Sequence, residues 1–371
     1  MTTSTGVPPI AVTAPTEPAR AATAPSRPIL VLSASAGAGH MVAAEAIEAA
    51  LRRLAPEQPV EVIDVLQLTN GFFRRLYAQG YLALVNHAPT AMGWLYEAMD
   101  RPDTRFRDGL RAAFQNLNTQ RAMTTLVARR PRLIVNTHFL SAEIVATLRR
   151  RGRLDCPQVT ITTDFETHRL WVQQPTERYY TATGEGKAYL ETWGVPAESI
   201  EVRGIPVRPA FEALPTRAAA RAKLGLDADR PVVLLLCGGF GVGPTQTLFA
   251  GLLETPPEVQ VVAITGQNER LRQQLAARSR GIARRVVVVG FTRAMHEYMC
   301  AADLVVTKPG GLTVSEALVC QLPLVVVNPI PGQEARNSDH LLERGAGFSV
   351  YIRRLLVYRV GRLLADADRL A

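Results

Sequence analysis

An α/β protein of two doubly wound domains is what the sequence predicts, on three observations. The chain has 371 residues, more than one hydrophobic core ordinarily organises, since domains cluster at roughly 100–200 residues. Apolar runs of strand length alternate with Ala-rich helical stretches, the pattern of parallel sheets covered on both faces. That pattern begins twice, after Pro28 and after Pro231, each time with an apolar strand running into a glycine-rich turn.

Residues 1–27 are rich in Thr, Ala and Pro, lack the apolar stretch of a secretory signal, and read as a disordered tail. The first strand, 29–33, leads through Ser33, Ala34, Ser35, Ala36, Gly37, Ala38, Gly39 and His40 into a helix over 43–54. Strands over 60–65, 133–136 and 159–163 follow, with helical segments between them, and complete a first domain over 28–208. Pro206, Pro209 and a short basic, Ala-rich helix mark the join to a second domain over 209–371. Its strands fall at 232–237, 261–265, 286–289, 304–307 and 324–327, the first opening into Gly238, Gly239, Phe240 and Gly241. Two such domains present a cleft at the carboxyl ends of both sheets, where ligands bind in open α/β folds.

Composition narrows the class. At 47% hydrophobic and 20% charged the chain is globular, and no stretch approaches the ~18 apolar residues of a spanning helix. The four cysteines, Cys156, Cys237, Cys300 and Cys320, form no C-x-x-C pair, which suits reduced core thiols rather than a disulfide or zinc framework. Lys+Arg 42 against Asp+Glu 33 gives a formal charge of +9, so the surface attracts anions. With no C2H2 spacing, RNP-type aromatic motif or long basic block, nucleic acid is not expected as a partner, and phosphorylated substrates or anionic lipid remain.

Three loops carry the chemistry. In the first, small residues let the backbone approach a ligand while the following helix offers free amides to an anion, with His40 at the helix start; its spacing is neither G-x-G-x-x-G nor Walker A, and a packing turn is the alternative. The second runs Thr307, Lys308, Pro309, Gly310, Gly311, Leu312, Thr313, Val314, Ser315, Glu316. There Thr313 or Ser315 is placed to satisfy the first helix amides, the positive helix end faces a phosphate, and Glu316 is an apt acceptor for two vicinal ribose hydroxyls. In the third, Asn328 to Glu334, two prolines stiffen the loop ahead of Gln333 and Glu334, an amide and a carboxylate suited to a polyhydroxylated ring, with a plain polar loop as the alternative.

Together, in this order, these loops resemble the GT-B glycosyltransferases, most closely the branch holding monogalactosyldiacylglycerol synthases and processive diacylglycerol glucosyltransferases. The resemblance runs from about Pro28 to Gly347 and includes Ala88, Pro89, Thr90 through Trp94 and Tyr96, Thr163, Asp164, Phe165 with His168 and Trp171, and Gly204, Ile205, Pro206, Val207. It implies inverting transfer of a hexose from UDP-glucose or UDP-galactose to diacylglycerol, with no cofactor and no metal. The resemblance assigns His40 as base, Glu316 as ribose acceptor, Gly311, Thr313 and Ser315 to the phosphate-binding helix, and Gln333 and Glu334 to the sugar. Gly238 and Gly239 lie under the nucleotide, Phe291 near the uracil, and Gly39 and Trp94 toward the acceptor. A C-terminal helix is expected to close the contact between the domains. A more distant likeness to the peptidoglycan lipid-intermediate transferase keeps a polyprenyl-linked acceptor open, and a catalytically inactive UDP-sugar or membrane-binding protein is the non-enzyme alternative.

Asp164 and His168 compete with His40 as acid or base, because Asp164 ends a strand that points to the same cleft. His87, His138 and His296 read as structural. The segment 71–85 sets Phe72 and Phe73 beside Arg74 and Arg75; if helical, it offers an apolar face with a basic flank to an anionic membrane surface, which predicts a peripheral protein on the cytoplasmic face of the cell membrane.

Overall fold

The computed structural model describes residues 26–75, 118–238, 244–283, 285–350 and 353–366. The first domain contains β1 (Ile29–Ser33), α1 (Ala38–Leu54), β2 (Val60–Asp64), α2 (Gln120–Arg129), β3 (Leu133–Asn136), α3 (Phe139–Arg150), β4 (Gln158–Ile161), β5 (Arg178–Thr181), α4 (Gly184–Thr192) and β6 (Ile200–Val202). All its strands pair in parallel, in the order β2-β1-β3-β4-β5-β6. After the linking helix α5 (Arg217–Leu224) the second domain follows as β7 (Val232–Leu236), α6 (Thr245–Leu252), β8 (Gln260–Ile264), α7 (Glu269–Arg278), β9 (Val286–Val289), α8 (Met295–Ala301), β10 (Leu304–Thr307), α9 (Gly311–Val319), β11 (Leu324–Val327), α10 (Gln333–Glu343), β12 (Gly347–Val350) and α11 (Leu356–Leu364). Its six strands are also parallel, in the order β12-β11-β10-β7-β8-β9.

The alternation of strand side chains splits each apolar strand between two cores. In β1, Leu30 and Leu32 pack with Met123 and Leu126 of α2 and Ile144 and Leu148 of α3, while Ile29 and Val31 face Ala44 of α1. In the second sheet Leu234, Val262, Val305 and Val326 meet Met299, Val314 and Ala317, and this cluster takes in Phe165 and Ile205 from the first domain, so one core runs across the join. The opposite face packs Val233, Val261, Val306 and Val325 on Phe249 and Leu252. Arg221 of α5, 5% exposed, pins the join by donating to Ala301 O, Ala228 O and the Asp303 carboxylate.

Three differences from the sequence reading affect the site. Helix α1 begins at Ala38 rather than residue 43, because Gly37 takes the extended N-cap geometry and Ala38 and Gly39 fit the first turn, so His40 lies inside the helix. Strand β4 ends at Ile161, which leaves Thr163 and Asp164 on the loop beyond it. Strands β5, β6 and β12 were not expected; their mixed sequences, such as Arg178-Tyr179-Tyr180-Thr181, carry no run of apolar residues. The helix α11 buries Leu356, Val360 and Leu363 in the second domain's own core, beside Phe249 and Leu252 of α6, so its described part covers the second sheet. Arg27 is tied down, its guanidinium donating to Arg130 O and Pro131 O; the rest of the expected tail, apart from Ser26, lies outside the described residues.

Candidate active site

In each sheet the strand order reverses beside the domain's first strand, between β1 and β3 and between β7 and β10. Loops at such a reversal splay apart and leave a crevice at the strands' carboxyl ends. The two crevices face one another and form a cavity of about 330 Å³. From the first domain it is lined by Ala36 to His40, Thr163, Asp164 and Arg208; from the second by Gly238, Gly266, Phe291, Lys308, Gly311, Thr313, Glu316, Gln333 and Glu334, among others.

Three helices begin at this cavity, and none has a side-chain cap: α1 follows Gly37, α9 follows Gly310 and α10 follows Gly332. Elsewhere α4, α5 and α7 are capped by Thr183, Thr216 and Asn268, while α2, α6, α8 and α11 also lack a side-chain cap. Uncapped amides and the positive ends of three dipoles therefore converge on one space, an arrangement suited to an anion. The expected capping of α9 by Thr313 or Ser315 does not occur. The helix starts earlier, at Gly311, and Ser315 Oγ donates back to Gly311 O at 3.0 Å; Thr313 lines the cavity and Ser315 does not. Gly311 is required by close approach, since a Cβ there would lie 2.2 Å from the Thr163 carbonyl oxygen across the domain contact.

His40 Nδ1 lies 3.2 Å from Thr137 O and 2.7 Å from Thr163 Oγ1. A carbonyl oxygen can only accept, so Nδ1 carries the proton and Nε2 keeps its unshared pair. Burial pushes the ring down to about 4, partly offset by the bond to Thr137, and leaves His40 neutral throughout the physiological range. His138 meets it edge-on, with ring centroids 4.6 Å apart, and its own Nδ1 accepts from Leu140 N at the start of α3. The sequence reading of His138 as structural did not foresee that it caps α3 and touches the His40 ring.

Acids and bases surround the rest of the cavity. Burial raises Glu316 to about 7 against an opposing pull from Arg208; the side chain is 5% exposed and Oε1 has no hydrogen-bond partner among the described residues. Asp164 is also raised by burial to about 7, with Asn337 opposing and Glu334 adding to the rise, and its Oδ2 accepts from Gln333 Nε2 at 3.0 Å. Gln333 Nε2 also lies 3.3 Å from His168 Nε2. Glu334 is raised by burial, with Lys308 pulling the other way, and one of its oxygens accepts from Ile330 N at 2.8 Å. At Glu316 and Asp164 neutral and ionised forms coexist at pH 7, a poise characteristic of sites awaiting a polar ligand.

The structure thus gathers His40, Gly39, Asp164, Gly238, Phe291, Gly311, Thr313, Glu316, Gln333 and Glu334 around one cavity. Gly239 and Trp94 lie outside the described residues. Of the segment expected to meet a membrane, residues 71–75 are helical; Phe72 is 69% exposed and Arg74 and Arg75 are exposed, but Phe73 is 4% exposed and packs into the core beside Leu66 and Met123. Phe73 therefore drops out of the interfacial set, because the helix turns alternate faces toward the domain. Sequence reasoning gave no role to Arg208, Lys308 and Thr163; the available signal was their position directly after Gly-Ile-Pro-Val, after β10 and after β4. Among the described residues no group of three His, Cys, Asp or Glu side chains is placed to hold a metal ion.

Residues 40–207 match the family model for monogalactosyldiacylglycerol (MGDG) synthase, and residues 246–355 that for the glycosyltransferase family 28 C-terminal domain. A processive diacylglycerol beta-glucosyltransferase from Staphylococcus carnosus is 30% identical over 269 residues, 72% of this chain and 68% of the relative. The protein of the same name from Bacillus subtilis is 28% identical over 92% of this chain and 88% of its own. Among solved structures, Anabaena HepE in complex with UDP superposes with a TM-score of 0.53 at 17% identity, covering 92% of this chain and 91% of that one. The Staphylococcus aureus MnaA-UDP structure does so with a TM-score of 0.59 at 12% identity, covering 92% and 89%. The architecture is GT-B.

Proposed function

We propose, from the premise that this chain belongs to the family of diacylglycerol glycosyltransferases, that it moves a hexose from UDP-glucose or UDP-galactose to diacylglycerol by a single displacement that inverts the sugar's anomeric centre. The observation that carries the reading is the pairing, across one cleft, of a neutral His40 with an open Nε2 and the uncapped start of α9 above the orphaned Glu316 carboxylate. The first can take a proton; the second can hold a nucleoside diphosphate. HepE and MnaA, solved with UDP in the same fold, support the choice of nucleotide.

In this reading Glu316 accepts from the ribose hydroxyls, and the diphosphate lies at the amides of α9 with Arg208 and Lys308 beside it. Gln333 and Glu334 meet the sugar hydroxyls, while Phe291 and Gly238 border the base. The acceptor hydroxyl gives its proton to His40 Nε2 as its oxygen attacks the anomeric carbon, and the bond from that carbon to the diphosphate breaks, leaving UDP with the electron pair. The helix dipole and the two cations stabilise the charge that develops on the leaving group. A base of low pKa serves here because the hydroxyl becomes acidic only as the new bond forms, so proton transfer accompanies attack. No metal or cofactor enters the proposed reaction. The lipid reaches the first domain from a membrane to which Phe72, Arg74 and Arg75 bind, on the cytoplasmic face; among the described residues no helix is long and apolar enough to cross a bilayer.

The pH dependence of kcat/KM for diacylglycerol at saturating donor tests the assignment of the base. With His40 held near 4 and Asp164 near 7, a His40 base gives a flat profile from pH 5 to 8, and His40→Ala lowers kcat by roughly 10²–10⁴-fold with UDP affinity unchanged. An acid limb near pH 7 that disappears in Asp164→Asn, together with an active His40→Ala, would transfer the role to Asp164.

A further inference from the structure

We propose that Thr163 is a positioning residue for His40, through which the docked second domain fixes the imidazole for proton transfer. The inference rests on the proposed glycosyl transfer. A histidine that takes a proton at one nitrogen builds positive charge shared with the other, and a buried acceptor at that second nitrogen both orients the ring and stabilises the charge. In many sites the acceptor is a carboxylate. Here the acceptors at Nδ1 are the Thr137 carbonyl and the Thr163 hydroxyl, and the hydroxyl makes the shorter contact, 2.7 Å against 3.2 Å.

Thr163 does not belong to a strand or helix of its own, yet the residue is 4% exposed and the segment it begins is held from the opposite domain. The Thr163 carbonyl is abutted by Gly311, where a Cβ would come within 2.2 Å of it. Two residues on, Phe165 N donates to Asn337 Oδ1 of α10 at 3.0 Å, and Asn337 Nδ2 donates to Pro309 O at 3.0 Å. The segment that holds His40 is therefore seated by α9 and α10, the helices that open at the anion-binding end of the cleft. A chain of contacts runs from Gly311 through Thr163 to the ring, so that the base is aligned when the donor-side helix is in place.

His138 meets the His40 ring at its edge, and Asp164, Glu316 and Arg208 are the other titratable groups of the first-domain loops and α9 that line the same cavity. The hydrogen-bond contacts of Nδ1 are the Thr137 carbonyl and the Thr163 hydroxyl, so removal of the Thr163 hydroxyl removes one of these two partners. The imidazolium then loses more than the neutral ring, and His40 becomes harder to protonate still.

Thr163→Val keeps the shape and deletes the hydroxyl; Thr163→Ser restores it. We expect Thr163→Val to lower kcat about tenfold, to change KM for the UDP-hexose less than twofold, and to shift the midpoint of His40 protonation to lower pH in ¹⁵N spectra of histidine-labelled protein. Thr163→Ser should recover most of kcat and the wild-type spectrum. Wild-type kcat in Thr163→Val, or a loss matched by equal weakening of UDP binding and not rescued by serine, would overturn the proposal. If the wild-type protein transfers no hexose, the functional reading fails, while the ¹⁵N spectra still decide: Nδ1 protonated in the wild type and a lowered midpoint in Thr163→Val support the link, and identical spectra refute it.

Discussion

Glu316 carries a conflict between stability and binding that can be measured. A carboxyl raised by burial from 4.5 to about 7 favours folding below pH 4.5, and that contribution is lost as pH rises through 7, to the extent of about 3–4 kcal/mol at most. Glu316→Gln should therefore melt several degrees higher than wild type at pH 8 and show no gain at pH 4.5, by calorimetry. The same change should weaken UDP-glucose binding by on the order of 10–100-fold, since a hydrogen bond to a charged group is lost. A variant that binds as wild type removes Glu316 from the nucleotide site. His40 and Glu316 were legible in the sequence because each stands out against small or apolar neighbours at a strand-to-helix turn. Thr163, Arg208 and Lys308 were not: one threonine or one cation after a strand has no periodicity, and only the fold shows that their side chains turn into the same 330 Å³ cavity. The shifts at His40 and Asp164 were also out of reach, since both arise from burial that only the folded structure shows.

At the scale of elements, the start of α9 decides how closely the two domains meet. Alanine is the better helix former and would stabilise an exposed helix position by about 1 kcal/mol relative to glycine. At Gly311 the sign reverses, because the added Cβ would lie 2.2 Å from the Thr163 carbonyl and 3.1 Å from Ile205 Cδ1, and backbone cannot yield as a side-chain tip can. Gly311→Ala should cost roughly 1–3 kcal/mol, read as a lower melting temperature, and should depress both UDP affinity and turnover; wild-type values for all three would show that the domain contact is looser than described. The strands 29–33, 133–136, 286–289, 304–307 and 324–327 were read with the boundaries they have, since each is an apolar run bounded by turn residues. Strands β5, β6 and β12 escaped because edge and near-edge strands mix polar with apolar side chains over three or four residues. The true start of α1 escaped because Ala38 and Gly39 look like loop.

On the scale of the whole molecule, two parallel sheets with reversals facing one another open a cleft where, in the proposed reaction, a nucleotide-held sugar and an acceptor hydroxyl would meet. The formal charge of +9 and the exposure of Phe72, Arg74 and Arg75 are what the proposed contact with an anionic bilayer rests on. Replacing those three residues with Ser, Glu and Glu should reduce sedimentation with phosphatidylglycerol vesicles while leaving UDP binding intact; unchanged sedimentation would place the membrane contact elsewhere. The central claim, hexose transfer to diacylglycerol with inversion, is tested most directly by the lipid product itself. After incubation with each UDP-hexose and diacylglycerol-containing vesicles, extracted lipids are identified by mass and their anomeric configuration by proton NMR. The account predicts a β-linked hexosyldiacylglycerol that forms with UDP-glucose or UDP-galactose and is nearly lost in His40→Ala. An α-linked product, or no diacylglycerol product with either donor alongside transfer to a polyprenyl-linked acceptor, would contradict it.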